Sequence, residues 1–356
     1  MNDDDLSEED GLVVPLFDGL PSSQLLPARM RFQVVEAEDG STLIVEGDED
    51  PSLLCIVSGQ LEIRHKGLVL GRLGPGEIVG EIALFGDGVR TASVVAKGEG
   101  RYLLLDRAGY LALRDVLNQV AERVELEALR ALVDRLREMG RRISEAAQGT
   151  PLHRLTPDPG FFTRMARLFG AGGGRSSARG VDVAAVLASC HIFQDLPQNA
   201  IAELAGMLTA TSVSSGHFLC TQGHYGDEMF VIAQGRVDVF VAVDEENAEP
   251  LAVLGTGDAI GMVALIEGGT RMASCVANGE VLAVVVDRRL WDKLREADTF
   301  AAMALRTAMI RALSEQLTFA SSQLARLDLE KKERETAKWI QHAAGGLEAH
   351  GAHTRG

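Results

Sequence analysis

The sequence is poor in cysteine and in aromatic residues, and it contains no long apolar run. Of its 356 residues only four are cysteines and 5% are aromatic. The cysteines are scattered and have no Cys-x-x-Cys spacing: Cys55, Cys190, Cys220 and Cys275. We therefore predict buried reduced thiols in a reducing compartment, and neither a metal site nor a disulfide framework.

Positive charge is also scarce. The formal net charge is −16, which repels a phosphate backbone and argues against general nucleic-acid binding, although a small anion can still bind locally. No apolar run approaches the roughly 20 residues that span a bilayer, so an integral membrane protein is excluded. Residues 1–10 are acidic and lack the basic start and apolar core of a secretory signal. We predict a disordered tail there and a cytoplasmic location.

The chain repeats itself once. Matching residues recur at an offset of 176 residues, as from Phe17 to Phe193, and after a longer hairpin loop in the second copy the offset is 181, as from Gly80 to Gly261. A regular offset over about 100 residues indicates a duplicated domain. We predict one domain at residues 11–107 and the second at 181–297.

Within each copy, short runs rich in β-branched residues are separated by glycine, aspartate or proline. The first copy has such runs at 41–46, 53–57, 60–65, 93–96 and 101–105. The second has them at 218–221, 228–233, 236–243, 251–254, 274–277 and 281–287. Short strands at this spacing are typical of a jelly-roll-like barrel. With the helices described below, they predict a mainly β protein with long helices, an α+β fold.

Residues 80–94 have the character of an anion pocket. Gly80 lets the backbone approach a ligand closely and present N–H groups, and the apolar turn at 82–85 would place a helix N-terminus beside it. Arg90 follows a tight glycine loop and can bind a phosphate with its planar guanidinium group. The Glu81 carboxylate can accept hydrogen bonds from hydroxyl groups.

The pattern Gly-Glu-Ile-Ala-Leu-Phe, four residues, then Arg-Thr-Ala-Ser-Val resembles the phosphate-binding cassette of the cyclic nucleotide-binding domain family. The resemblance implies a β-roll flanked by helices, in which Glu81 binds the ribose 2′-hydroxyl and Arg90 pairs with the cyclic phosphate. Relatives that accept cyclic GMP have a threonine at the position of Thr91, while cyclic AMP is the commoner ligand of the bacterial type. As a β-branched residue, Thr91 also suits the start of a strand. The implied ligand-binding residues are Gly80, Glu81, Ile82, Ala83, Arg90, Thr91 and Ala92.

The second copy has lost one of the two charged residues. Met262 stands where the first copy has Glu81, and it cannot accept a hydrogen bond from a ribose hydroxyl, which would stay unpaired at a cost of about 1–3 kcal/mol. Arg271 is retained at the same separation and can bind a phosphate weakly or pair with Glu267. We predict that this site is vestigial or uses a modified ligand mode. Its residues would be Gly261, Met262, Val263, Arg271, Met272 and Ala273.

Two long helices and a linker complete the chain. Apolar periodicity predicts one helix over 108–147 and another over 298–341, and residues 148–180, rich in proline, glycine and arginine, indicate a linker. Within the linker, 161–169 can form an amphipathic helix, and the basic run 175–179 is similar to segments by which kinase regulatory subunits occupy a catalytic cleft. The last helix carries an apolar seam that either packs on its own chain or pairs with a second subunit, and we predict a homodimer. The seam residues are Ile310, Leu313, Leu317, Ala320, Leu324 and Leu327.

These features predict a receptor for cyclic AMP or cyclic GMP without catalysis, in which the helix at 108–147 closes over the ligand of the first domain. No residue of that helix, Tyr110 included, can be assigned as the lid. A transcription factor is disfavoured because no helix-turn-helix follows residue 341. An enzyme is disfavoured because no nucleophile elbow, kinase set or P-loop occurs. The remaining alternatives are a scaffold with vestigial pockets and a transcription regulator without a recognisable DNA-binding motif. The receptor would act on a protein partner that the sequence does not identify.

Overall fold

The computed structural model describes residues 14–147, 174–242 and 248–351. The predicted acidic tail at 1–10 and the amphipathic segment at 161–169 lie outside these residues. In the described part of the chain, no helix is both long and apolar enough to cross a membrane. The four cysteines are buried, as predicted, and none is bonded to another in this structure.

The first repeat forms an antiparallel sheet of six strands with the order β1-β6-β3-β4, in which β2 pairs with β6 and β5 with β3. Helix α1 (Ser22–Arg29) precedes the sheet, and the short helix α2 (Glu81–Phe85) interrupts it between β5 and β6. The strands are β1 (Phe32–Ala37), β2 (Thr42–Ile44), β3 (Ser52–His65), β4 (Leu68–Leu73), β5 (Ile78–Val79) and β6 (Ser93–Asp106).

The second repeat builds the same arrangement with one additional strand. Its sheet has the order β11-β10-β13-β8-β7, with β12 paired to β10 and β9 to β13. The strands are β7 (Arg175–Ser177), β8 (Thr209–Val213), β9 (Phe218–Cys220), β10 (Glu228–Ala242), β11 (Ala248–Leu254), β12 (Ala259–Ile260) and β13 (Ser274–Asp287). Its helices are α5 (Val183–Ser189), α6 (Gln198–Ala205), α7 (Met262–Glu267), α8 (Arg288–Leu294) and α9 (Phe300–Gly351).

The predicted α+β fold of two β-rolls is confirmed, and two details of the strand prediction are corrected. The runs at 53–57 and 60–65 belong to one strand, β3. A bulge at 56–60 accommodates the glycine between them, so the ladder of hydrogen bonds to β6 continues. The rolls are also not closed barrels, since β1 and β4 end the first sheet and are not paired with each other.

The helix predicted over 108–147 is two helices. Helix α3 (Arg107–Arg114) ends before a turn in which Leu117 has the positive φ of 50°, and α4 (Gln119–Ala147) begins after it. The Asn118 side chain accepts a hydrogen bond from the Val120 N–H at 2.9 Å, which caps the new helix. The break separates α3, which follows β6 directly, from α4.

The predicted linker ends earlier than expected. Residues 175–177 form strand β7 beside β8, and the Arg175 guanidinium group donates to both carboxylate oxygens of Glu228 at 2.5 and 2.9 Å. The basic run 175–179 therefore starts inside the second sheet. This corrects the comparison with an inhibitory kinase segment, because the first arginine is engaged within its own domain.

The last helix, α9 (Phe300–Gly351), is longer at its end than the predicted 298–341. Its seam is filled by the same chain, because Ile310, Leu313, Leu317 and Leu324 are buried in one core cluster with residues of α4 and α6. That cluster joins the helices of both repeats. The interior of each roll forms a smaller separate cluster.

A buried ion pair links the two repeats through this helical core. Arg306 of α9 donates to Glu125 of α4 at 2.6 Å, and both side chains are almost fully buried. The Tyr110 hydroxyl donates to the other Glu125 oxygen at 2.7 Å. Burial together with the charge of Glu125 raises the pKa of Tyr110 well above its ordinary value, so the phenol keeps the proton it donates.

A carboxyl pair at the same interface makes the stability depend on pH. Burial and the neighbouring Asp298 carboxylate raise the pKa of Glu122 to about 7. Between pH 4.5 and 7 the folded protein thus binds a proton that the unfolded chain releases, so this contribution to the free energy of unfolding falls as the pH rises through that window. Glu122 is half-exposed, and solvent screening reduces the expected loss to about 1–2 kcal/mol.

We expect Glu122→Gln to remove this contribution, since an amide can bond to Asp298 without titrating. Urea unfolding of the wild-type protein and of Glu122→Gln at pH 5.5 and 8.0 measures this contribution. It is the difference between the two proteins in how the free energy of unfolding changes with pH. The same pH dependence in both would show that Glu122 is ionised normally.

Candidate functional site

The first cassette places Arg90 inside the protein. Its side chain is 3% exposed and donates from Nη1 to the Ser52 carbonyl at 2.6 Å, and from Nη2 to the Ser52 hydroxyl and an Asp50 carboxylate oxygen, both at 2.7 Å. These groups hold the guanidinium plane in one orientation. The Arg90 Nε, also buried, has no hydrogen-bond partner among the residues that the structure describes.

Glu81 begins helix α2 and is 1% exposed. Its Oε1 accepts from Arg135 of α4 at 2.5 Å, and the same guanidinium group donates to the Ile78 carbonyl at 2.6 Å. Its Oε2 is buried and accepts no hydrogen bond within the described part of the chain. A buried carboxylate oxygen without a donor is costly, and a hydroxyl group brought by a ligand would satisfy it.

Gly80 makes this close packing possible. It has a φ of 99°, and a Cβ atom there would lie 2.5 Å from the Ser52 carbonyl oxygen and 2.6 Å from Arg90 Nη1. Any side chain would displace the arginine and strain the backbone. The glycine is thus required by the close approach of Arg90 and of Ser52, the first residue of β3, to this turn.

Both charged residues line one cavity of about 260 Å³. Its walls include Ile44, Ile63 and Val94 from the roll. Its other side is formed by α4, with Arg135 and Met139, and by α9 of the second repeat, and no phenylalanine, tyrosine or tryptophan is among its wall residues. The residues from α9 are Leu317, Thr318 and Ser321. A ligand of the first repeat would therefore meet a helix of the second.

Opposite charges surround this cavity. Arg72 and Arg135 lie on its wall with Glu77 and Glu138. A hydrogen bond from Arg141 holds the pKa of the Glu138 carboxyl below its usual range, which keeps it ionised. The cavity wall thus carries guanidinium groups and carboxylates side by side, with the buried Arg90 among them.

A second arginine, Arg107, holds the C-terminal end of helix α2. Arg107 donates to the carbonyls of Ala83, Leu84 and Gly86 at 2.6 to 3.0 Å, which satisfies the C-terminal end of α2. In the second repeat Arg288 donates to the Ala264 carbonyl at 3.0 Å in the same way. This shared contact explains why an Asp-Arg pair recurs at the start of both α3 and α8.

The second cassette has the same backbone and different chemistry. Arg271 donates to the Gly261 carbonyl at 2.9 Å, and it lies so close to Gly226 that a Cβ there would be 2.4 Å from its Nε. Gly226 occupies the repeat position of Asp50, so Arg271 lacks that carboxylate partner. Met262 is 1% exposed and is packed in the helical core.

The alternative pairing of Arg271 with Glu267 is wrong. Glu267 instead binds Arg137 of α4, and Met272 lies against Gly140 of the same helix, 3.0 Å from the position of a Cβ there. Helix α4 thus contacts Glu81 of the first cassette through Arg135 and Glu267 of the second through Arg137.

The seven predicted residues of the first site all line the cavity: Gly80, Glu81, Ile82, Ala83, Arg90, Thr91 and Ala92. Thr91 also fixes His65, whose Nδ1 donates to its carbonyl at 3.0 Å. Tyr110, considered as a lid, does not line the cavity, because its ring packs on Phe85 and its hydroxyl binds Glu125.

Three contacting residues were missed. Asp50 and Ser52 differ from their repeat partners Gly226 and Glu228, and this difference between the copies was a usable signal. Arg135 had none, because nothing in a helical sequence tells which of its arginines will meet Glu81.

These features define a protein of two β-rolls, each with a left-handed glycine, a short helix and an arginine folded back onto that glycine. A family model for the cyclic nucleotide-binding domain matches residues 34–115 and 210–298. The chain therefore carries two regions of the cyclic nucleotide-binding domain family, one in each repeat.

Known relatives include proteins of different architecture. The chain is 25% identical over 263 residues to the cGMP-dependent protein kinase egl-4 of Caenorhabditis elegans, covering 73% of this chain and 26% of the kinase. It is 37% identical over 129 residues to the cyclic AMP receptor protein of Thermus thermophilus, covering 35% of this chain and 58% of that protein. The chain thus spans about a quarter of the nematode kinase.

Among solved structures, the regulatory domain of Toxoplasma gondii PKA with cAMP aligns with a TM-score of 0.30 and 20% identity, covering 78% of this chain and 86% of that one.

Proposed function

We propose that this chain is a non-catalytic receptor for a cyclic nucleotide, with one site in the first repeat and cyclic AMP as the favoured ligand. The observation that carries the proposal is the pairing of two buried groups on one cavity wall: Glu81, with an unpaired carboxylate oxygen, and Arg90, with an oriented guanidinium group. A cyclic nucleotide presents a ribose hydroxyl and a phosphate anion close together. These are the two groups that this pair would bind.

The second repeat supports a single site per chain. It keeps an arginine but has neither the carboxylate at position 262 nor a counterpart of Asp50, and Arg137 and Met272 bring α4 against its cassette. We infer that this repeat serves as a partner for α4. A ligand that shifts Arg135 would move α4, and Arg137 would carry the shift to the second cassette.

Calorimetric titration of the whole protein with cyclic AMP and separately with cyclic GMP tests this function. We expect one site per chain and tighter binding of cyclic AMP. Two equal sites would overturn the account of the second repeat. No heat with either nucleotide would favour the scaffold with vestigial pockets.

The role of Glu81 has its own prediction. If Oε2 accepts from the ribose 2′-hydroxyl, Glu81→Ala lowers the affinity for cyclic AMP about tenfold to a hundredfold, because that hydroxyl loses its partner. The 2′-deoxy analogue should lose a similar factor on the wild-type protein.

The decisive measurement is the affinity of Glu81→Ala for the 2′-deoxy analogue, compared with its affinity for cyclic AMP. Glu81→Ala should bind cyclic AMP and its 2′-deoxy analogue equally. A weaker affinity of this variant for the 2′-deoxy analogue would show that the hydroxyl binds another group. Glu77→Ala, which removes a different carboxylate from the same cavity wall, serves as the control.

The predicted homodimer remains a proposal. Since Ile310, Leu313, Leu317 and Leu324 are buried within the chain, a dimer through α9 would have to use another face of the helix, such as the one that carries the exposed Phe319. The cytoplasmic location and the unidentified protein partner also remain proposals.

A further inference from the structure

The second roll contains two cysteines that face each other across neighbouring strands. Cys220 of β9 and Cys275 of β13 are partners in the antiparallel register, and each residue is 5% exposed. Opposed residues of an antiparallel pair have Cα atoms about 4.5 or 5.5 Å apart, and both values lie in the range that a disulfide bond spans.

The first repeat shows where this pair lies. The equivalent positions are Ile44 and Val94, which pair in the same register between β2 and β6 and line the cavity beside Arg90. Two aliphatic wall residues of the first repeat are therefore replaced by two thiols in the second. The change falls on the wall of the vestigial pocket, on the roll that carries Arg271.

We propose that Cys220 and Cys275 form a reversible disulfide bond when the protein meets a peroxide, so that the second repeat carries a redox site in place of a nucleotide site. This inference does not depend on ligand binding by the first repeat. The other two cysteines, Cys55 and Cys190, lie in the helical core cluster and have no cysteine partner in the register.

The reaction has a definite order. The neighbouring Cys275 and the positive charge of Arg271 lower the pKa of Cys220, whereas the neighbouring Cys220 and burial raise the pKa of Cys275. The Cys220 thiolate attacks one peroxide oxygen, and the O–O bond breaks to give a sulfenic acid and hydroxide, which becomes water. The Cys275 sulfur then attacks the sulfenic sulfur, and the hydroxide that leaves takes the Cys275 proton as a second water. The two sulfurs together lose two electrons, and the peroxide gains them.

Cys55 provides a matched internal control. Burial raises the pKa of Cys55 to about 12, so its thiolate is scarce and it should not react. Cys55→Ser should therefore leave the oxidation unchanged, whereas Cys220→Ser and Cys275→Ser should each abolish the cross-link.

The test treats the full chain with a small excess of hydrogen peroxide, blocks free thiols by alkylation and maps the peptides by mass spectrometry. We expect one intramolecular Cys220–Cys275 disulfide, a mass lower by two hydrogens before alkylation, and full reversal by dithiothreitol. Because the bond closes a long loop, the oxidised protein should also unfold at a temperature higher by on the order of 5 °C.

Cys220 and Cys275 still free after treatment, cross-links between chains, or oxidation that reaches Cys55 as readily as Cys220 would each overturn the proposal. The mapping on wild-type protein decides the matter even if a serine variant folds poorly.

Discussion

Replacing Arg90 by alanine is expected to lower the affinity of the first repeat for a cyclic nucleotide by on the order of a hundredfold or more. The guanidinium group is the buried cation of the cavity wall that Asp50 and Ser52 hold in place, and its loss leaves a phosphate without a charged donor. Calorimetric titration measures the change. Arg90→Lys should recover only part of the affinity, because an ammonium group cannot reproduce the planar arrangement of donors.

The duplicated chain provides the matched control for Arg90. Arg271→Ala removes the equivalent residue of the second cassette and should leave affinity and stoichiometry unchanged. The Ser52 hydroxyl loses a partner in Arg90→Ala, so a loss of about 1–2 kcal/mol in the free energy of unfolding is expected and should be measured alongside. Equal losses of affinity in both variants would contradict a single site.

Breaking the ion pair between Arg306 and Glu125 should produce the largest loss of stability. Both groups are buried, and removal of one partner leaves an uncompensated charge in the helical core, at a cost of about 3–5 kcal/mol. Burial already raises the pKa of Glu125 against the opposing effect of Arg306. Glu125→Leu should therefore lower the free energy of unfolding by this amount in urea titrations.

A double variant distinguishes the pair from simple loss of packing. Glu125→Leu combined with Arg306→Met removes both charges, and we expect it to recover a large part of the stability that the single variant loses. Arg130→Gln, which breaks an exposed pair with Glu127 on the same helix, should cost less than about 1 kcal/mol. A double variant as unstable as the sum of its single changes would show that the two residues act independently.

Much of the first cassette could be predicted from sequence because its residues are close together in the chain. Gly80, Glu81 and Arg90 lie within one turn, helix and loop, so their spacing alone brings them near one ligand. The duplication was equally visible, since an offset shared by many residues does not require knowledge of the fold. The loss of Glu81 at Met262 followed directly from aligning the two copies.

Long-range contacts could not be predicted in this way. Arg135 contacts Glu81 although the two residues are 54 positions apart in the chain. The break between α3 and α4 occurs where Leu117 adopts a left-handed conformation. The seam of α9 illustrates the same limit. Its apolar spacing indicates that the helix packs against a partner. The spacing does not identify which surface that partner is.

The sequence by itself thus determined the duplicated β-roll, the cassette chemistry and its asymmetry between the copies, because all of these depend on local spacing and residue type. Only the tertiary structure decided that α4 contacts both cassettes, that α9 covers the first cavity, and that Cys220 faces Cys275. The physical reason is that such contacts depend on the path of the chain between distant residues, which packing of the whole core selects.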